Sequence, residues 1–199
     1  MDDIVRQAMA KWPNVPDVYG WLSLDRRGNW LIKGESIGNE ALIAFIGRNY
    51  QHDIEGRWFF QNGPQRVFVA LACAPFVYRV ASAEHEALAL DTHTGLRVNG
   101  INSACLDELG TLLLDTGHGP GAVYDLDLDR LSPHFADAHG LALDDDTLEA
   151  MLDDTQTPLA LWLRFGDARI KVTRIRSDAI ARHFGFLANS VEDNAKVKA

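Results

Sequence analysis

The chain has 199 residues, 47% of them hydrophobic, and a formal net charge of −9. That length holds one large domain or two small ones with a real core. No apolar run reaches the roughly 18 residues of a membrane span, and the excess of acid argues against nucleic-acid binding, which needs a basic face. The charge is uneven. Residues 111–157 hold ten Asp, one Glu and one base, so this one segment carries −10 and the rest of the chain +1. The two cysteines, Cys73 and Cys105, sit in apolar settings, too few for a disulfide framework and read as buried small hydrophobes.

The N-terminal stretch MDDIVRQAMAKW spaces Ile4, Val5, Ala8, Met9 and Trp12 as an amphipathic helix, with Asp2 and Asp3 at the favourable end of its dipole. It lacks the basic start and apolar run of a signal peptide, so a cytoplasmic protein is expected. Residues 20–34, GWLSLDRRGNWLIKG, read as strand, Gly turn, strand, and the following IGNEALIAFIGRNY reads as a helix capped by Asn39. GRWFFQNGPQRVFVAL (56–71) reads as a hairpin with Asn62 and Gly63 in the turn and Val67, Val69 and Leu71 facing the core.

This plan recurs. Residues 86–100 match 20–34 at an offset of 66, through Leu22/Leu88, Leu24/Leu90, Asp25/Asp91 and Gly34/Gly100. INSACLDELGTLLL then reads as the second helix, capped by Asn102 or Ser103. LWLRFGDARIKV (161–172) matches 58–69 at an offset of 103, through Gly63/Gly166, Arg66/Arg169 and Val69/Val172. The difference in offset marks the acidic segment as an insertion. Its DLDLDR reads as a strand with one wet face, and its carboxylates are expected in solvent or paired with Arg164, Arg174 or Arg176. A helix capped by Ser177 ends the chain.

The expected fold is therefore α+β: two similar repeats of antiparallel strands with a covering helix, and an acidic insertion in the second. Residues 1–83 comprise the N-terminal helix and first repeat. Residues 84–187 comprise the second repeat with its insertion at about 111–157, and 188–199 form a polar tail.

The stretches GRWFFQNGPQRVFVAL, GNWLIKGESIGNEALIAFIGRNY and APFVYRV resemble an uncharacterised proteobacterial family, a domain of unknown function. More distantly, the chain is similar to a second uncharacterised bacterial family of α+β proteins with repeated structural motifs. The resemblance implies this fold plan and a link to signal transduction. It brings no activity and no catalytic residues.

Arg66 and Arg169, with Lys171 beside the latter, occupy equivalent places in the repeats and could grip an anion between them. Trp58 could supply a stacking surface. These are the candidate ligand-binding residues of a non-enzymatic binding or regulatory module, with a small anion or a protein segment as its partner. Two alternatives stand beside it. One is a small-molecule enzyme using His118 of the loop DTGHGPG with Asp115 as acid or base. The other is a homo-oligomeric adaptor. Spacing supports no metal site: His134 and His139 are five apart, and His85 lies between Glu84 and Glu86 in a connector. No cofactor motif is present.

Overall fold

The computed structural model describes residues 1–12, 15–81, 88–153 and 159–190. The chain forms two compact units, Met1–Cys73 with the described residues from Gly185 on, and Ala74–Phe184. The expected division at 83/84, His85 and the tail beyond Ser190 lie outside the described residues. No described helix is long and apolar enough to cross a membrane. The α+β class holds.

The first unit opens with α1 (Asp3–Lys11), which buries Val5. β1 (Val18–Leu24), β2 (Trp30–Ile32) and β3 (Glu35–Ser36) precede α2 (Glu40–Arg48), whose first turn is capped by Asn39 accepting from the Leu42 amide. β4 (Tyr50–His52), β5 (Trp58–Asn62) and β6 (Gln65–Leu71) complete one sheet in the order β3-β2-β1-β6-β5-β4. Every neighbour is antiparallel except β1 and β6, which run parallel with Leu22 opposite Val69 and Leu24 opposite Leu71. The hairpin β5–β6 has the expected core face: Val69 and Leu71 are buried and Val67 half-buried. Its turn is shifted by one residue. Asn62 ends the ladder opposite Gln65, and Gly63 and Pro64 take the centre. Only the first central residue, Gly63, has positive φ (56°), the pattern of a type II′ turn, and proline's fixed φ suits the second place.

The second unit contains β7 (Phe76–Val80), β8 (Leu90–Thr92), β9 (Ile101–Leu106), β10 (Leu112–Thr116) and β11 (Gly119–Val123). Two 3-10 helices, Asp125–Arg130 and Ser132–His134, lead to β12 (Phe135–Ala136). α3 (Asp145–Asp153), β13 (Leu161–Phe165), β14 (Ala168–Arg174) and α4 (Ile180–Phe184) follow. The sheet order is β12-β13-β14-β9-β10-β11-β7-β8.

Read in reverse, six of these strands reproduce the first sheet: β11-β10-β9-β14-β13-β12 matches β3-β2-β1-β6-β5-β4. The only parallel pair within each set is again the central one, with Ala104 opposite Val172 and Leu106 opposite Arg174. The repeat is real for 58–69 and 161–172, which pair residue for residue at the expected offset. Its first part is misregistered. The partner of 18–32 is 100–114, at an offset of 82, not 86–100. Leu24/Leu106, Asp25/Asp107 and Gly28/Gly110 coincide, and Leu106 pairs with Leu112 as Leu24 pairs with Trp30. The helix expected over 101–114 is therefore β9, a turn and β10. Leu112, Leu113 and Leu114 are all buried, so both faces of the strand are covered and no alternation reveals it.

One local device sets these hairpins. An Asp is followed three residues later by a Gly at φ 76–88° in Asp25-Gly28, Asp53-Gly56, Asp107-Gly110 and Asp137-Gly140. In each, the Asp Oδ1 accepts from the amides two and four residues on. Thr92 and Gly95 make a fifth version, with Thr92 Oγ1 accepting from the Leu96 amide. Glycine supplies the left-handed residue of a three-residue hairpin loop, and the carboxylate satisfies amides the ladder leaves unpaired.

The acidic segment is less of an excursion than expected, because β10 and β11 belong to the repeat. DLDLDR forms a 3-10 helix, not a strand. Its Asp127 is buried, with Oδ2 accepting from Arg79 Nε and the Val80 amide, both at 3.0 Å. Asp125, Asp129, Asp144, Asp146 and Glu149 are exposed as expected. Arg176 pairs with Asp178 instead of the segment, while Arg164 and Arg174 donate to its carbonyls, at Pro133 and at Met151 and Leu152. Ser177 does not cap a helix; its hydroxyl donates to Glu108 at 2.5 Å. Cys105 is buried and Cys73 half-buried.

Candidate functional site

The expected site residues are engaged elsewhere. Trp58 is 4% exposed and packs against the rings of Tyr50 and His52, so it belongs to the core and offers no stacking surface. Arg66 makes a two-pronged pair with Asp17 at 3.0 and 2.7 Å, with its guanidinium over Phe59 and Phe68. Arg169 donates to the Ala138 carbonyl at 2.7 Å and so braces the Asp137-Gly140 turn. Lys171 lies over the Trp162 ring. His118 Nε2 donates to the Arg97 carbonyl at 2.9 Å, whereas Asp115 accepts from Asn102 at 3.2 Å. The two side chains of the enzyme alternative thus serve different partners.

The second unit instead holds a cavity of about 530 Å³. Its floor is the face of the sheet formed by Leu106, Leu112, Leu161 and Val172, with Phe135 from β12. Leu128 and Ser132 from the 3-10 helices and Leu148 and Leu152 from α3 close over it. Among the described residues, five charged ones line it: Asp107, Glu108, Asp129, Glu149 and Arg174.

The repeat explains why the space exists. By sheet register, Leu112 stands where the first unit has Trp30, Leu161 where it has Trp58, and Phe135 where it has Tyr50. In the first unit those three rings pack on one another, with centroids 5.0 Å apart for Trp30–Tyr50 and 4.9 Å for Tyr50–Trp58. Two indoles replaced by two isobutyl groups leave the same face underfilled.

Two polar positions change along with them. Arg174 stands where the first unit has the buried Leu71. Its Nη2 donates to the Met151 carbonyl at 3.0 Å and the Leu152 carbonyl at 3.5 Å. These are carbonyls of the last turn of α3, where a cation is favoured, so Arg174 latches the helix over the cavity. Thr111 stands where the first unit has Asn29. At Asp25, Oδ1 accepts the Arg27 and Asn29 amides and Oδ2 accepts Asn29 Nδ2 at 2.8 Å. Burial alone would raise this carboxyl; the Asn29 side chain, followed by the amides, outweighs it and holds the group below its ordinary value. At Asp107, Oδ1 accepts the Leu109 and Thr111 amides at 2.9 and 2.7 Å. Its Oδ2 is buried and has no protein hydrogen-bond partner among the described residues.

Elsewhere on the rim, Glu108 accepts from the hydroxyl and amide of Ser177. The hydroxyl bond is the main reason its carboxyl lies below the ordinary value, aided by the charge of Arg176. None of the cavity's carboxylates was singled out from the sequence. The Leu-Asp-x-x-Gly recurrence at 24–28 and 106–110 is the signal that would have found Asp107 and its neighbours.

The fold and the cavity define a class: an α+β protein of two units built on one repeated six-stranded sheet, in which the place taken by Trp30, Tyr50 and Trp58 in the first copy is open in the second, while the first copy has its own cavity of about 490 Å³ farther along the same face, lined by Leu22, Ile32, Phe60 and Val67. The chain belongs to the DUF2944 family, described as a protein of unknown function (DUF2946), whose model matches residues 1–191. A crystal structure of a DUF1285 family protein from Silicibacter pomeroyi DSS-3 is similar at a TM-score of 0.55 and 16% identity, covering 87% of this chain and 96% of that one. A second DUF1285 family protein, from Shewanella baltica OS155, matches at a TM-score of 0.43 and 18% identity over 55% of this chain and 87% of its own. The first likeness shows the fold. Both families are uncharacterised, as the resemblance read from the sequence implied. No curated protein matches the chain.

Proposed function

We propose that the protein is a non-enzymatic binding or regulatory module whose ligand occupies the cavity of the second unit. The observation that carries this reading is the hollow itself, about 530 Å³ at the place where the first copy is filled by Trp30, Tyr50 and Trp58. That volume lies within the range of small-molecule sites, roughly 300–1,000 Å³. The lining suits binding: an aliphatic floor that gains from burial of an apolar body, and few polar groups to orient it. Arg66 and Arg169, on which an anion site would rest, are each held by a partner in their own unit, which moves the ligand away from them. A binding event has an evident mechanical consequence, since α3 is both the roof of the cavity and the element latched by Arg174. A ligand that displaces Leu148 or Leu152 changes what the acidic face of α3 presents to solvent.

The test restores the first copy's filling. Leu161→Trp and Leu112→Trp place indoles where Trp58 and Trp30 stand. Small apolar probes are titrated into the wild type and both variants, and amide shifts of residues 106–112 and 148–152 are followed by NMR. Saturable shifts in the wild type that disappear in the folded variants support the reading. Shifts absent from the wild type, or retained when the cavity is filled, overturn it.

A further inference from the structure

The geometry points to an amine or a comparable N–H donor as the polar group of the ligand, and we propose that Asp107 Oδ2 is its acceptor; this inference rests on the cavity being the binding site. Asp107 is 2% exposed, and it lines the cavity. Its Oδ1 is fully used by the turn, accepting two amides. Oδ2 has no protein partner among the described residues. A buried carboxylate oxygen without a donor is costly, and proteins meet this need nearly everywhere. The first copy shows how this turn meets it: Asn29 Nδ2 donates to Asp25 Oδ2 at 2.8 Å. The second copy has Thr111 at that place, so the turn lacks that internal donor; Asp107 is a lining residue of the cavity, and its Oδ2 is buried without a hydrogen-bond partner among the described residues.

The other charged groups on the cavity agree with a donor ligand. Glu108, Asp129 and Glu149 are acids on the rim, and they favour a cation over an anion by their sign. Among the described residues Arg174 is the one base of the lining, and its Nη2 donates to the last carbonyls of α3. Glu108 is held by Ser177. A ligand with an apolar body and an ammonium, guanidinium or amide head fits both the aliphatic floor and the single unmet acceptor. A carboxylate of the same shape would face Asp107 as a like charge.

Three probes of one chain length separate these terms: n-hexylamine, 1-hexanol and hexanoate. Each is titrated into the full chain at pH 7, and the Leu109 and Thr111 amides, which donate to Asp107, serve as NMR reporters. The amine is expected to bind at least tenfold more tightly than the alcohol, and hexanoate more weakly than either. Asp107→Asn keeps an oxygen for the two turn amides and replaces the open acceptor by a donor. It is expected to remove the preference for amine while leaving 1-hexanol binding within about twofold. Equal affinity for amine and alcohol in the wild type, or an unchanged amine preference in Asp107→Asn, overturns the assignment of Asp107 while leaving the cavity as the binding site. If Asp107→Asn fails to fold, Thr111→Asn is the second arm, because it supplies an internal donor without touching the carboxylate. It is expected to weaken the preference, and a preference unchanged by it overturns the proposal. Failure of all three probes to bind the wild type removes the cavity reading as well.

Discussion

Replacing Thr111 by Asn should make the protein more stable. The second copy of the hairpin would then carry the residue that the first copy uses at Asn29. There the side-chain amide donates to Asp25 Oδ2 at 2.8 Å while the backbone amide donates to Oδ1. Thr111 already makes the backbone bond, at 2.7 Å to Asp107 Oδ1, so the substitution adds the missing half without rebuilding the turn. A hydrogen bond to a charged group contributes about 1.5–3 kcal/mol net, and a buried unpaired acceptor costs about 1–3 kcal/mol. The lower end, about 1.5 kcal/mol, is the safer expectation, because the new amide gives up water and Thr111 gives up its present contacts. For a chain of this size each kcal/mol moves Tm by about 2–4 °C, so a rise of about 3–6 °C is expected in thermal unfolding followed by circular dichroism. Urea unfolding should show a higher midpoint with an unchanged slope. The mirror change, Asn29→Thr, removes the donor from a turn in which Asp25 is half-exposed, and should lower stability by about 0.5–1.5 kcal/mol. If Thr111→Asn is neutral or destabilising while Asn29→Thr destabilises, Asp107 Oδ2 has no unmet demand and the comparison of the two turns is wrong.

Other outcomes follow from the same structure. Val69→Ala and Val172→Ala, at equivalent buried places 1% and 0% exposed, should each cost about 1–3 kcal/mol in urea unfolding, and no measurable loss at either would refute their place in the core. Gly110→Ala meets open space at φ 78° and should cost only the left-handed penalty of about 1–2 kcal/mol. Gly56→Ala at φ 76° would also drive its Cβ onto the Gly185 carbonyl oxygen and should cost several kcal/mol or abolish soluble expression. His134 is held below its ordinary pKa by burial and then by the charge of Arg164. Its contribution to stability is therefore complete above the unfolded value of about 6.5 and falls as pH drops from there through the lower folded value. The stability of His134→Gln should lack that decline below about pH 6.5, and an unchanged pH profile in urea unfolding would rule His134 out as its source.

How much of this could be read in advance depended on how far each residue's local environment was written in its neighbours. Hairpin β5–β6 was legible because Gly63 and Pro64 have conformational demands that no other context relaxes, and because its valines face one core. The recurrence of Arg66 and Arg169 marked a true structural equivalence. Its meaning was not legible, since Asp17 and the Ala138 carbonyl, which take up those guanidiniums, are 49 and 31 residues away. β10 was hidden by burial on both faces, which turns a strand into a continuous apolar run. Five turns of nearly one design then offered a choice of registers, and Asp91 was matched where Asp107 belonged. Trp58 shows the limit of composition: an aromatic-rich hairpin looks the same whether its rings stack on a ligand or on Tyr50. The cavity could not be seen as a motif at all, because it consists of residues that are too small for their place.

That last point joins the fold to the proposed site. A sheet face used twice within one chain needs to be closed only once for a given set of neighbours. In the first unit Trp30, Tyr50 and Trp58 fill one end of it, and Asn29 donates to the second oxygen of Asp25. In the second unit the same backbone carries Leu112, Phe135, Leu161 and Thr111, and the volume and the acceptor are released together. Leucine and threonine at those positions would each be a modest defect if they arose alone: an unfilled space under a helix, or a buried carboxylate oxygen without a donor. Together they put a buried acceptor beside a chamber with an aliphatic floor, and Arg174 replaces an aliphatic residue to hold the last turn of α3. A chain under pressure only for stability has three simple corrections available, all demonstrated in its own first half. That none of the three is present in the second half is most simply understood if the chamber and the open acceptor serve a ligand that completes them both.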